Sequence, residues 1–351
     1  MRQRVLSSLM VLAAVSTSVL LVTVPVIGQA PASKAPRKAT KSAYTPPKLP
    51  WGAPDLQGLW PGTDLIEVPL QRDAKAGERT EVTEEEFAQR QAKAERTAAN
   101  DKVEYVGKNA PVGINPPGYW LEHGRPQKIT SLVVDPPNGR IPELTDLAKQ
   151  KAAQAKQAKQ GHGPNETWED QSLYDRCITR GVMGSILPVI YNNGTQIVQG
   201  PGYIAIRYEM IHETKIIPLD GRPHEGSNIK SYMGDSRGHW EGNTLVIETT
   251  NFLGDKNGIG LNGGGTPHSA DMVLTEKWTR TAPDRMEYTA TINDPKTWVR
   301  PWTIRMPLRL NPEFPLYEYA CHEGNYAMFN MLKGARAEEK AAEEAVKAGK
   351  Q

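Results

Sequence analysis

The second half of the chain is written in period two. Ile204, Ile206, Tyr208 and Met210 alternate with Ala205, Arg207 and Glu209, and Leu245, Ile247 and Thr249 alternate with Val246 and Glu248. The rhythm returns in Leu274, Glu276 and Trp278, in Met286, Tyr288, Ala290 and Ile292, and in Trp302, Ile304, Met306, Leu308 and Leu310. Successive side chains of a strand point to opposite faces, so each run predicts a strand with one face on a core. Turn signals separate the runs: Glu241-Gly242-Asn243, Ala282-Pro283-Asp284 and Asn293-Asp294-Pro295. Long strands joined by short turns, without helices between them, favour an antiparallel meander. Closing it, or nearly closing it, into a barrel of lipocalin-like shape would remove its exposed edges; a sandwich is the competing form.

The first half follows other rules. Thr83 and Glu86 make a capping box ahead of a helix that runs to Ala99. An irregular loop rich in Gly and Pro extends from there to Pro126, and Ile129 to Val134 reads as a strand ending in the Asp135–Gly139 turn. Thr145 opens a second helix that stops at Gly161. That helix is almost all Ala, Lys and Gln, with Leu144 and Leu147 as its apolar anchors, and so reads as an exposed arm. Ala335 to Ala348 has the same character. The expected fold is mainly β: one domain over residues 51–340, an irregular N-terminal wrap, two or three peripheral helices, and a charged helical tail at 341–351.

The ends and the composition set the compartment. Arg2 and Arg4, a mostly apolar stretch from Val5 to Ile27, and small residues at Ala30 and Ala32 predict a signal peptide within residues 1–32; a retained anchor is the alternative. Residues 33–50 are basic, rich in Pro and free of acid, which predicts an extended linker. The chain is therefore expected to be periplasmic or secreted, touching membrane only through the signal segment. A formal charge of +2, with acids and bases intermixed, argues against a nucleic-acid partner. The two cysteines, Cys177 and Cys321, admit either a disulfide or two buried thiols. A disulfide would close a loop of about 140 residues, worth roughly 4–5 kcal/mol by chain entropy.

Candidate chemistry lies in polar blocks at strand ends. They hold Asp175 and Arg176, Tyr208 and His212, Asp220, Arg222 and His224, Asp235 and Arg237, and His322 and Glu323. Loops at strand ends can gather acids, bases and ligands from distant sequence. His212, His224 and His322 are the candidate ligands for one divalent metal, with a free acid–base histidine and structural histidines as the other readings. The three Asp–Arg pairs serve either to anchor an acidic substrate or to pin loops by ion pairs. Trp298, Arg300 and Trp302 suggest an arginine stacked between indoles. Gly258 to Gly265 lacks the lysine and helix of a phosphate loop and reads as a flap. Gly234-Asp235-Ser236-Arg237-Gly238 has the letters of GxSxG but not the strand–turn–helix setting of a nucleophile elbow, and nothing in the sequence brings a histidine to Ser236.

The same blocks resemble a family of exported bacterial proteins of unknown function. The resemblance rests on Leu173–Gly181, Ile190–Asn193, Tyr208–His212, Ile217–His224, Gly234–Gly242, Trp298–Trp302 and Tyr317–Tyr326, and covers residues from Trp51 to Lys340. It implies one module and carries no mechanism. The expected function is an exported enzyme that hydrolyses or eliminates a small polar or aromatic molecule at a His/carboxylate site. A non-catalytic ligand-binding barrel and an envelope scaffold are the alternatives.

Overall fold

The computed structural model describes residues 44–100, 120–163, 165–254, 258–260 and 266–348. The segments expected to be a signal peptide and, for the most part, a basic linker, together with the 101–119 stretch and much of the glycine-rich segment, lie outside the described residues. The chain divides into two units at Lys41/Ser42, and every described residue falls in the second.

The molecule is mainly β, with 27% strand against 24% helix. The strands are β1 Gly58–Leu59, β2 Val133–Asp135, β3 Thr195–Gly200, β4 Tyr203–Tyr208, β5 Thr214–Pro218, β6 Asp235–Glu241, β7 Thr244–Thr250, β8 Gly258–Ile259, β9 Thr266–Pro267, β10 Val273–Ala282, β11 Arg285–Asn293 and β12 Trp302–Arg309. All their ladders are antiparallel. One sheet has the order β1-β3-β4-β5, a second β2-β12-β11-β10-β7-β6, and β8 and β9 form a third of two strands.

The period-two rows land where the alternation puts them. Leu274, Glu276, Trp278, Met286, Tyr288, Ala290, Ile292, Trp302, Ile304, Met306 and Leu308 are all buried. Ile197, Ile204, Ile206 and Ile217 of the small sheet join the same core, so the space between the sheets is filled with side chains. β5 and β6 run close together without a ladder. A Cβ on Gly238 would come within 2.7 Å of Ile217 and Leu219, so only glycine permits the approach. On the far side the Asn311 amide, just beyond β12, donates to the Leu59 carbonyl at 2.9 Å.

Two charged residues sit inside this core. Lys215 of β5 reaches Glu276 of β10 in a buried ion pair. The Tyr288 hydroxyl donates to the other oxygen of Glu276 at 2.9 Å.

The helices are α1 Glu84–Asn100, α2 Asp146–Ala158 and α3 Tyr326–Ala348. The Thr83 box forms as read: the Glu86 amide donates to Thr83 Oγ1 and the Thr83 amide to Glu86 Oε2. Thr145 caps α2, which buries none of its residues and stands as the expected arm.

Several boundaries move. The folded part begins before Trp51, because Lys48 bridges Pro54 and the Asp55 amide donates to the Pro47 carbonyl. α3 starts at Tyr326 rather than Ala335, capped by Asn325, whose Oδ1 accepts from the Met328 amide. The run expected to reach Met210 stops at Tyr208, because Glu209 takes helical dihedrals of −65° and −45° and opens a single helical turn, Met210–His212, in which Ile211 and His212 have positive φ values of 56° and 47°. The strand expected over Ile129–Val134 is broken in two: Ile129 makes an isolated bridge to Glu81, and regular pairing to β12 begins at Val133.

Candidate active site

Four segments converge at one end of the β4–β5 hairpin: 172–185, 189–194, 208–213 and 317–325. The last is strapped across the others. The Tyr317 amide donates to Glu209 Oε1 at 2.9 Å, the Tyr319 carbonyl meets His212 Nδ1 at 2.8 Å, and Asn325 donates to the Asp175 carbonyl at 2.9 Å. Cys177 and Cys321 close a disulfide in the middle of the strap, which settles the choice the sequence left open.

Beneath the strap lies a cluster of three phenols and a guanidinium. The Tyr174 and Tyr319 hydroxyls are 2.7 Å apart. Tyr191 also hydrogen-bonds Tyr174. Arg180, 2% exposed, holds its guanidinium 5.4 Å from the centre of the Tyr174 ring. Glu213 lies alongside, accepting from the Thr179 and Ser185 hydroxyls and, at 3.3 Å, from the Arg180 amide.

Burial and the bond to Tyr319 push the Tyr174 phenol up to about 12. Burial and the bond to Tyr174 do the same to Tyr191, also to about 12. Burial raises Tyr319. All three phenols are therefore neutral donors at neutral pH. Three hydroxyls joined by two hydrogen bonds have three protons and spend two; the third is taken only by the weak thioether acceptor of Met210, 3.8 Å from the Tyr174 hydroxyl, and a ligand oxygen would compete for it.

The histidine at this rim is oriented. A carbonyl oxygen only accepts, so Nδ1 of His212 carries the proton toward Tyr319 and Nε2 keeps its lone pair. The backbone holding it is unusual. Among the described residues six non-glycine positions have positive φ, and five belong here: Cys177, Met183, Asn192, Ile211 and His212. Each such position costs about 1–2 kcal/mol, and a β-branched residue such as Ile211 adopts it rarely. Backbone strain of this kind clusters at functional sites. Glu209 holds the corner in place. Its buried carboxylate accepts from Asn192 at 2.9 Å, from the Gly194 amide at 3.1 Å and from Tyr317.

The candidates named from sequence scatter around this centre. His212 is part of it, and Tyr208 lies inside the core below. Burial, then Glu276 and Glu213, push the Tyr208 phenol well above its ordinary value. Asp175 and Arg176 do not pair: Asp175 takes the Ser172 hydroxyl at 2.6 Å, and Arg176 stacks outward on Trp168 at 4.5 Å. His322 and Glu323 are exposed on the strap.

His224 belongs to a separate cluster at the start of β6. Its Nδ1 is 2.9 Å from Asp235, which also pairs with Arg237. Burial pushes the Asp235 carboxyl up, but the Glu225 amide, His224 and Arg237 outweigh it and hold the group below its usual range. Asp220 and Arg222 pair on an exposed turn. Asp235 and Arg237 tie residues 223–225 to β6, since Arg237 donates to the Pro223 carbonyl and Asp235 accepts from the Glu225 amide, while Asp220 and Arg222 pair within their own turn. The metal reading fails on geometry: among the described residues no three His, Cys, Asp or Glu side chains are placed to hold an ion, and His212, His224 and His322 do not converge. Arg300 is not stacked between indoles. It reaches Asp135 at 3.0 Å, while Trp298 and Trp302 meet edge to face at 5.6 Å.

Sequence reading missed Tyr174, Arg180, Tyr191, Glu213 and Tyr319 as site residues. Four of them lie inside strings that carry the family resemblance, which was the available signal. Compared with protein-family models, curated proteins and solved structures, the chain matches none.

Proposed function

We propose that this chain is an exported enzyme that hydrolyses or eliminates a small polar or aromatic molecule bearing a carboxylate or carbonyl oxygen, using the His212–tyrosine rim. The observation that carries the reading is the pairing of an oriented base with neighbouring neutral phenols that can donate. His212 offers Nε2 because Nδ1 is held by Tyr319, and the same Tyr319 joins the neutral phenols over Arg180. Both reaction types begin with a proton moving to a base while negative charge grows on an oxygen. In hydrolysis His212 Nε2 takes the proton of a water whose oxygen attacks the carbonyl carbon, and the phenol O–H donates to the oxyanion; collapse of the tetrahedral intermediate then breaks the bond to the leaving group, which takes the proton back from His212. In elimination Nε2 takes the proton next to the carbonyl, the phenol holds the enolate oxygen, and the leaving group departs with its electron pair. Arg180 is a positioning residue that supplies positive potential from below.

Two further observations support the setting. The Cys177–Cys321 disulfide suits an oxidising compartment, periplasmic or secreted. The two sheets approach one another at both seams, β5 beside β6 and Leu59 beside Asn311, and we read them as a split barrel with the rim at one end. Its interior is packed, so a ligand would bind at the end rather than in the lumen.

The test is a screen of the exported protein against carboxylate esters and β-substituted carboxylic acids, followed by His212→Gln and Tyr174→Phe. General-base loss should lower kcat by about 10²–10⁴-fold in the first variant with the melting temperature preserved. Turnover indifferent to both changes would refute the reading. Saturable binding without turnover would favour the ligand-binding alternative.

A further inference from the structure

At the other end of the same hairpins lies a cleft of about 560 Å3, lined by Lys48, Trp51, Leu219, Trp240 and Asn243 together with turn glycines. The β4–β5 ladder runs from the rim at Tyr208 to Tyr203 and Pro218 beside this cleft, and the β6–β7 hairpin turns at its edge through Gly242.

We propose that this cleft binds a saccharide chain, with pyranose rings stacked on Trp51 and Trp240.

Trp51 is presented by a stiff turn. The Gly52 amide donates to the Leu49 carbonyl at 2.8 Å, with Pro50 at the second position fixing φ. Outside the turn, the Leu49 amide donates to the Ala53 carbonyl at 2.9 Å and the Asp55 amide to Pro47 at 2.8 Å. The indole is nevertheless 42% exposed. A large ring held rigidly in water costs little further ordering when a ligand covers it. Trp240 is the last inward-facing residue of β6, packed on the core and half-buried. Gly52, Gly202 and Gly242 line the cleft, and a Cβ on any of them would meet no heavy atom within 4 Å. The walls between the indoles are therefore low and open. Lys48 adds an ammonium donor, and the Asn243 amide can both donate and accept.

This combination selects the ligand class. A pyranose ring has a C–H face that packs on an indole and a rim of hydroxyls that needs donors and acceptors. A flat aromatic or acyl ligand would want enclosure on most of its surface, and this cleft is open with a polar edge. The volume is within the roughly 300–1,000 Å3 of small-ligand sites, which suits a short run of sugar rings. The inference stands apart from the rim chemistry and uses none of its residues.

The experiment titrates the exported protein with hexaoses of glucose, N-acetylglucosamine, mannose and galactose, reading tryptophan fluorescence and calorimetric heat. At least one should saturate at millimolar concentration or below. Trp51→Ala should weaken it roughly tenfold, Trp51→Phe should restore part of the loss, and Asn243→Ala should weaken it less. His212→Gln should leave it unchanged. No saturation by any of the four overturns the proposal. So does binding indifferent to both Trp51→Ala and Asn243→Ala, or saturation by phenol or indole at this cleft where the sugars fail.

Discussion

His212 concentrates the physics of the site in one residue. Its φ of 47° costs about 1–2 kcal/mol for any L side chain, and its ring hydrogen bond returns about 0.5–1.5 kcal/mol. His212→Gly should therefore leave stability within about 1 kcal/mol of the parent in urea unfolding while abolishing turnover. A large loss of stability would mean that the imidazole is structural. The phenols allow a second prediction with a definite sign. Tyr174 and Tyr191 ionise near 12 in the folded protein against an ordinary value of 10.0. Below the ordinary value both states keep the proton and the stabilisation is fully present. Above it the unfolded chain loses protons first, so stability falls as pH climbs from about 10 toward about 12. Thermal melts across that range should show a shallower decline for Tyr174→Phe; equal slopes would contradict the assignment.

The decisive element is the strap, residues 317–325. It has no regular secondary structure, and its place comes from Glu209, His212, Tyr174, the disulfide and Asp175 in turn. The bridge spans a sequence separation of 144 residues. Replacing both cysteines by serine should cost about 2–5 kcal/mol in urea unfolding. Loss of fluorescence or amide-exchange protection should begin in the strap and α3. A variant as stable as the parent would show that the noncovalent contacts suffice. Helices α1 and α2 were legible because caps and composition are local signals: Thr83 with Glu86, and Thr145 ahead of the Ala-rich arm. The strap was not, since its partners lie more than a hundred residues away and it repeats no period.

At the scale of the whole molecule the buried pair Lys215–Glu276 joins the two sheets across the core. Each charge is tolerated because the other is there, with Tyr288 satisfying the second carboxylate oxygen. Lys215→Met alone should cost about 3–5 kcal/mol by stranding Glu276, and the double change to Met and Leu should recover most of that loss. Additive losses in the double-mutant cycle would mean the two residues act independently. Alternation placed Glu276 on the inward row beside Leu274 and Trp278, so its direction was readable while its partner was not.

The sequence by itself determined the β-rich second half, the inward rows, the capped helices and the polar strings around two cysteines. These are consequences of local spacing, since side-chain direction in a strand follows from period two and a cap needs only its own first turn. Only the tertiary structure decided which polar residues meet. It separated His224 from His212, turned Arg176 away, and brought Arg180, Tyr174, Tyr191 and Tyr319 together. Contacts across 107 or 145 positions depend on how sheets pack and where a disulfide closes, and no spacing along one chain encodes that.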